Sequence, residues 1–157
     1  MNILIFSDSH GIRSYMLSVA RQLRPDKIIH LGDVWGDCAC LEPIAPVTAV
    51  CGNCDYSAPV PDERVLEIEG VRIFLAHGHR YGVKTDLQAF ASAARAERAD
   101  VALFGHTHSA YSAEHHGVQL FNPGSIAMPR SGLPSYGLLE ADKGRFHCRI
   151  VYMNPNE

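Results

Sequence analysis

The sequence predicts an α/β fold in which two packed β-sheets carry helices on their outer faces. Three observations predict it. The first half alternates apolar runs of strand length with a segment of helical period. The last third holds short β-rich runs separated by turn residues, which reads as antiparallel. Five of the apolar runs end in a polar loop of His, Asp or Asn beside glycine, which places one site along the carboxyl ends of the strands.

The elements follow in order. Asn2 to Phe6 is an apolar run and reads as a buried strand. Gly11 to Arg24 places Ile12, Tyr15, Met16, Val19, Ala20 and Leu23 at helical spacing, and Pro25 ends it. Lys27 to Leu31 is a second buried strand, so the chain opens as βαβ with a parallel pair. Asp37 to Ile44 is expected to be a short helix, stopped by Pro43 and Pro46. Val47 to Val50 is a third buried strand, and Ser57 to Asp62, with two prolines, is a loop. Arg64 to Ile68 and Val71 to Ala76 flank Glu69-Gly70, a hairpin signal. Thr85 to Arg98 is Ala-rich with a Thr-Asp start and suits a helix. Val101 to Phe104 is a further buried strand. Then come Ala110 to His115, Val118 to Phe121, Tyr136 to Glu140 and Phe146 to Tyr152, separated by Gly117, Asn122-Pro123-Gly124 and Asp142-Lys143-Gly144.

The totals bound the function. A chain of 157 residues, 46% hydrophobic and 20% charged, suits a single domain over 1–157 that buries a sizeable core. A net charge of -3 with no basic run excludes an electrostatic footprint for duplex nucleic acid. No apolar stretch approaches the roughly 20 residues of a membrane span. Asn2 to Phe6 is too short for a signal peptide and runs straight into Asp8. The five cysteines show no disulfide framework, so a reducing cytoplasm is the expected location. An exposed edge strand leaves a homo-oligomer open.

The polar loops carry the chemistry. They are Asp8-Ser9-His10, Gly32-Asp33, Gly52-Asn53-Cys54-Asp55, His77-Gly78-His79 and Gly105-His106-Thr107-His108. Five of the nine histidines fall in three of these runs, and imidazole with carboxylate is the donor set of zinc, manganese or iron. Asp8 and His10 are two apart, so in an extended segment both side chains leave on one side, as do those of His106 and His108. The donors suffice for two metals if one carboxylate bridges, and Asp33 is the candidate. Asn53 offers a neutral carbonyl oxygen, which limits the negative charge of a site that must accept an anion.

The ordered series Asp-x-His, Gly-Asp, Gly-Asn, His-Gly-His, Gly-His-x-His is similar to the calcineurin-like metallophosphoesterase family. Within it, Gly52-Asn53-Cys54-Asp55 and Asn122-Pro123-Gly124-Ser125 resemble the small YfcE-type phosphodiesterases, and the likeness runs from Asn2 to about Glu140. The resemblance implies a four-layer αββα sandwich of two mixed sheets flanked by helices, with a two-metal site at its edge. It implies that Asp8, His10 and His108 hold the first metal, that Asn53, His77 and His106 hold the second, and that Asp33 bridges. Manganese is the implied occupant, with iron, zinc, nickel or cobalt as alternatives. The implied activity is hydrolysis of a small-molecule phosphodiester by a metal-bridging hydroxide. A phosphomonoesterase on the same site is the alternative, as is a protein-interaction scaffold of the same fold. In the broader family a histidine follows Gly-Asn as the acid for the leaving group. Here that position is Cys54, a thiol poorly matched to the task, so His79 is the substitute candidate.

Other residues read more plainly. His30 lies inside an apolar strand and is expected to support the core or a ligand; His115, His116 and His147 read as ordinary polar positions. Cys51 and Cys54 have the spacing of a redox pair, but such pairs open a helix and Cys51 ends a strand. Cys38 and Cys40 lack the second pair a soft-metal site needs, and Cys148 reads as a buried strand residue. Asp55 is expected to orient a loop or ligand, Arg80 and Arg130 are candidate phosphate contacts, and Trp35 and Tyr56 either meet substrate or cap the core.

Overall fold

The computed structural model describes residues 1–56, 58–130 and 132–154; Ser57, which begins the expected Ser57–Asp62 loop, lies outside them. One five-stranded sheet has the order β10-β9-β1-β2-β3, formed by β1 (Asn2–Phe6), β2 (Lys27–His30), β3 (Val47–Ala49), β9 (Ser135–Asp142) and β10 (Arg145–Tyr152). The other has the order β4-β5-β6-β8-β7, formed by β4 (Glu63–Ile68), β5 (Val71–Ala76), β6 (Val101–Leu103), β7 (Tyr111–His115) and β8 (Val118–Asn122).

Period-two alternation sorts the side chains into layers. Ile3 and Ile5 of β1 meet Ile73 and Leu75 of β5 between the sheets, together with Ile29, Val101, Phe121 and Leu139. Leu4 and Phe6 face the other way and pack on Met16, Val19 and Ala20 of α1 (Ser14–Leu23). On the far sheet, Phe74, Ala102, Phe104 and Leu120 pack on Phe90, Ala91 and Ala94 of α2 (Gln88–Ala96). Helix, sheet, sheet, helix are therefore the four layers expected from the resemblance. Central strands buried on both faces read as unbroken apolar runs for this reason.

Several expectations need correction. α1 starts at Ser14, not Gly11, because residues 11–13 belong to a loop in which Gly11 has φ +86°. It ends on Arg24, left-handed at φ 46°, whose N–H bonds Ala20 O at 3.0 Å just before Pro25. The helix expected over Asp37–Ile44 is a 3₁₀ turn over Trp35–Cys40, closed by the Asp37 N–H to Val34 O and the Leu41 N–H to Cys38 O. α2 is shorter than the expected Thr85–Arg98, and Asp86 rather than Thr85 accepts from the Gln88 N–H, at 3.0 Å. The last third is antiparallel only in part. β7 with β8 and β9 with β10 are hairpin pairs, but β8 runs parallel to β6. The chain then crosses to the other sheet, where β9 pairs antiparallel with β1.

Candidate metal centre

β1, β2 and β3 are mutually parallel, as are β5 and β6, so the carboxyl ends of each set share one edge. The polar loops emerge there, and the backbone ladder continues past the strands to bind them. The Asp8 N–H donates to Gly32 O at 2.9 Å, the His10 N–H to Asp33 O at 3.2 Å, and the Gly105 N–H to His77 O at 2.9 Å. Loop and loop approach so closely that two glycines are required. A Cβ on Gly52 would fall on Asp33 Oδ1, and one on Gly105 would fall on Ser7 Oγ.

Five of the expected donor residues are not extended. Asp8, His10, Asp33, His106 and His108 all have positive φ, between 46° and 70°. The same-side argument for residues two apart is therefore wrong as a mechanism, although both pairs do converge on the site. Each left-handed non-glycine residue costs roughly 1–2 kcal/mol, a strain held by the hydrogen bonds around it and concentrated where function is expected.

Among the described residues, three groups of donor atoms meet here: Asp8, His10 and His108; Asp33, His77 and His106; and His10, Asp33 and Cys54. Within each, the atoms lie within 4.8 Å of one another. Asp8 Oδ2 accepts from Ser7 Oγ at 2.7 Å and from the His106 N–H at 3.1 Å. Asp8 Oδ1 is buried without a hydrogen-bond partner among the described residues, 3.3 Å from His108 Nε2 and 3.7 Å from His77 Nε2. The other ring nitrogens explain this. His77 Nδ1 donates to Leu31 O and His108 Nδ1 to Met128 O, each at 2.7 Å, which leaves bare Nε2 lone pairs facing the carboxylates in the neutral rings. Imidazole nitrogens also face each other across 3.3 Å (His10 to His108) and 3.2 Å (His77 to His106). Lone pairs converging on an orphaned buried carboxylate oxygen are a donor set for cations.

The electrostatics agree. Burial opposes charge on Asp8, but His108 and His77 hold its carboxyl below the usual range. Burial likewise opposes charge on Asp33, and His77, the Cys54 N–H at 2.9 Å and His10 together hold that carboxyl well below it. Burial disfavours the His77 imidazolium, yet Asp33 and Asp8 raise its pKa; burial and His77 push His106 down to about 4. Asp8 raises that of His108 against its burial. Both carboxylates stay ionised at neutral pH.

Other expected residues sort themselves by contact. Cys54 is exposed, and its thiol is pushed up by burial and by Asp33, so it stays protonated at neutral pH. Asn53 is exposed, with its amide nitrogen facing Cys54 Sγ at 3.7 Å. His79 stands beside the donor cluster, its ring centre 5.5 Å from that of His77 and 6.0 Å from that of His106. Its Nδ1 is buried without a partner among the described residues, and burial and His77 lower its pKa. With Arg80 and Asp62 it lines a cavity of about 440 Å³. Asp55 is buried and accepts three N–H groups, from Asp33, Gly52 and Trp35, at 2.7–2.9 Å. Ser125 Oγ donates to Asp8 O, and Asn122 donates to Gly105 O and Thr107 Oγ1, so the Asn122–Ser125 loop braces two donor loops. Tyr56 is 89% exposed and caps no core, whereas Trp35 is half-buried. All five cysteines are free thiols, and Cys148 is half-buried rather than buried. Sequence reasoning missed Asp37, taken only as a helix start, which is buried and binds the loop around His10.

A four-layer sandwich with converging His and Asp side chains at the carboxyl edge is the arrangement expected of a metal-binding hydrolase of phosphoesters. The chain belongs to the calcineurin-like phosphoesterase superfamily, whose domain matches residues 1–144. A probable metallophosphoesterase of Bacillus subtilis, YsnB, is 35% identical over 100% of this chain and 94% of its own length. Among solved structures, the Escherichia coli phosphoesterase YfcE aligns with TM-score 0.72 at 25% identity, over 98% of this chain and all of its own. Vps29 of Entamoeba histolytica in complex with Zn²⁺ aligns with TM-score 0.80 at 25% identity, again over 98% of this chain and all of its own. Family and site together support metal-dependent phosphoester hydrolysis.

Proposed function

We propose that the protein is a phosphodiesterase with a two-metal centre, in which Asp8, His10 and His108 hold one ion, Asn53, His77 and His106 hold the other, and Asp33 bridges. The observation that carries this reading is the position of Asp33 Oδ2. It lies 3.3 Å from His77 Nε2 in one donor group and 3.9 Å from His10 Nε2 in the other. Manganese is the proposed occupant. Two divalent ions so held would supply an activated water and neutralise charge on the phosphate oxygens.

The chain's own residues do the rest. Asp55 and the Cys54 N–H fix Asp33 from both sides, so its carboxylate is presented without reorganisation. His79 stands beside the cluster, where its imidazolium form can hand a proton to the leaving oxygen; burial and His77 lower its pKa and so make that form the sharper acid, whereas the raised pKa of the Cys54 thiol makes it a poor one. The neighbouring arginines are already engaged: Arg80 with Asp62 at 3.2 Å, and Arg130 Nε with Thr107 O at 2.9 Å. A monoester's dianion thus meets no uncommitted guanidinium from either, which favours a diester. The relation to Vps29 leaves a scaffold as the second reading, but donor residue types stand at all seven positions named here, which weighs toward catalysis.

The test is hydrolysis of bis-p-nitrophenyl phosphate beside p-nitrophenyl phosphate, after chelation and readdition of Mn²⁺. The proposal expects metal-restored activity that is greater on the diester. Activity on the monoester alone, or none with metal bound, would overturn it.

A further inference from the structure

His10 lies between two residues held by a single oxygen atom. Ser9 Oγ donates to Asp37 Oδ2 at 2.7 Å, and the Gly11 N–H donates to the same oxygen at 2.8 Å. Asp37 reaches this position from the 3₁₀ turn and is only 2% exposed, while Arg13 Nε approaches its other oxygen at 3.2 Å from the surface. Ser9 Oγ also lies 3.0 Å from His30 Nε2. His30 Nδ1 accepts the Gly32 N–H at 3.1 Å, so Nε2 carries the proton and donates to Ser9. This places a continuous buried chain between Asp37 and the residue preceding Asp33. Neither Asp37, Ser9 nor His30 is a member of the donor groups described above.

We infer that Asp37 is a positioning residue for the metal-binding half formed by Asp8, His10 and His108, clamping both neighbours of His10 so that its ring stays turned into the site. The inference rests on the reading of that cluster as a metal centre. The clamp is needed because His10 is left-handed at φ 46°, a conformation that non-glycine residues avoid. Residues 11–13 beyond it are exposed, so packing does little to hold them. A buried carboxylate accepting two donors at 2.7–2.8 Å makes the stronger, charge-assisted kind of hydrogen bond. His108, in the same donor group, is fixed from another loop by Met128 O and owes nothing directly to Asp37, which makes it an internal control.

The experiment is calorimetric titration of Mn²⁺ into the metal-stripped full chain, for the wild type, His10→Ala, Asp37→Ala, Asp37→Asn and Ser9→Ala. Thermal melting and ¹⁵N-imidazole spectra of His10 and His108 accompany it. Asp37→Ala is expected to weaken one of two binding events roughly 10- to 100-fold, while the other stays within about threefold. The His10 resonances should shift and broaden, and those of His108 should hold. Asp37→Asn should be milder, because its carbonyl oxygen still accepts from Ser9 and Gly11. Should Asp37→Ala not fold, Ser9→Ala, which keeps the Gly11 bond, carries the same test with a smaller loss. Both events weakening in step with the melting temperature would show a merely structural role and overturn the inference, as would no change in affinity. Wild type that binds no Mn²⁺ would overturn the metal reading and this inference with it. Binding that His10→Ala weakens and the Asp37 variants do not would overturn the inference alone.

Discussion

A single atom, Oδ2 of Asp33, lies within 4 Å of both His77 and His10, which come from different donor loops. Under the proposed function, His79 and Cys54 are the two candidates for giving the leaving group its proton, and the elevated thiol pKa favours His79. His79→Ala is therefore expected to steepen the dependence of rate on leaving-group pKa across aryl phosphodiesters. A flat dependence that survives the substitution contradicts a proton-transfer role for His79. His30 supports a second prediction. Burial first, only partly offset by the carboxylates around it, lowers its pKa from 6.5 to about 4. The unfolded chain takes up the proton as pH falls through 6.5 and the folded chain refuses it until about 4, so stability drops across that window. The loss is on the order of 3 kcal/mol. His30→Gln should flatten this part of the stability–pH curve in the metal-stripped protein, measured by urea denaturation. An unchanged slope would contradict it. The donors were legible because their side-chain types recur after strands. Their left-handed backbone was not, since nothing in Asp-Ser-His marks a positive φ.

At the scale of the element, most of the donor loops start from buried strands. β1 shows the logic: Ile3 and Ile5 lock it to the far sheet, Leu4 and Phe6 lock it to α1, and Asp8 follows two residues on. Truncating Phe6 to Ala should cost about 3–5 kcal/mol by leaving a cavity under α1. Gly52 tests the other limit. Its backbone φ is ordinary, so Gly52→Ala acts through space alone, pressing a methyl onto Asp33 Oδ1. The expected outcome is a loss of about 1–3 kcal/mol together with weakened Mn²⁺ binding; an alanine variant that binds metal normally would contradict the tight approach. Apolar runs and turn residues revealed the strands, the βαβ opening and the β4–β5 hairpin. They did not reveal the 3₁₀ turn, because Asp37 looks like any helix-starting acid until its carboxylate is seen folded back onto Ser9.

The whole molecule is a device for bringing two sheet edges together. Gly32 and Gly52 from one sheet meet His77 from the other at distances that exclude a β-carbon on Gly32, so neither sheet alone holds the site. If the donor groups bind metal, folding and metal binding are coupled accordingly. Asp8 and Asp33 are ionised and buried together, and cations that bind only the folded chain must stabilise it. Chelation should lower the melting temperature and Mn²⁺ should restore it. Coincident melting curves with and without metal would contradict this coupling. Two packed sheets with helices outside were foreseeable from the pattern of apolar runs, and the four-layer order from the family resemblance. The return of β9 to the first sheet was not, because Tyr136 to Glu140 reads as one more β-rich run with nothing local to name its partner.

The measurement that bears most directly on the central claim is metal stoichiometry. The stripped chain and Asp33→Ala would each be titrated with Mn²⁺ and counted by elemental analysis after equilibrium dialysis. Two ions per chain, falling to one or none when Asp33 is removed, is the result that a bridged pair of sites predicts. A single ion per chain, retained without Asp33, would contradict it.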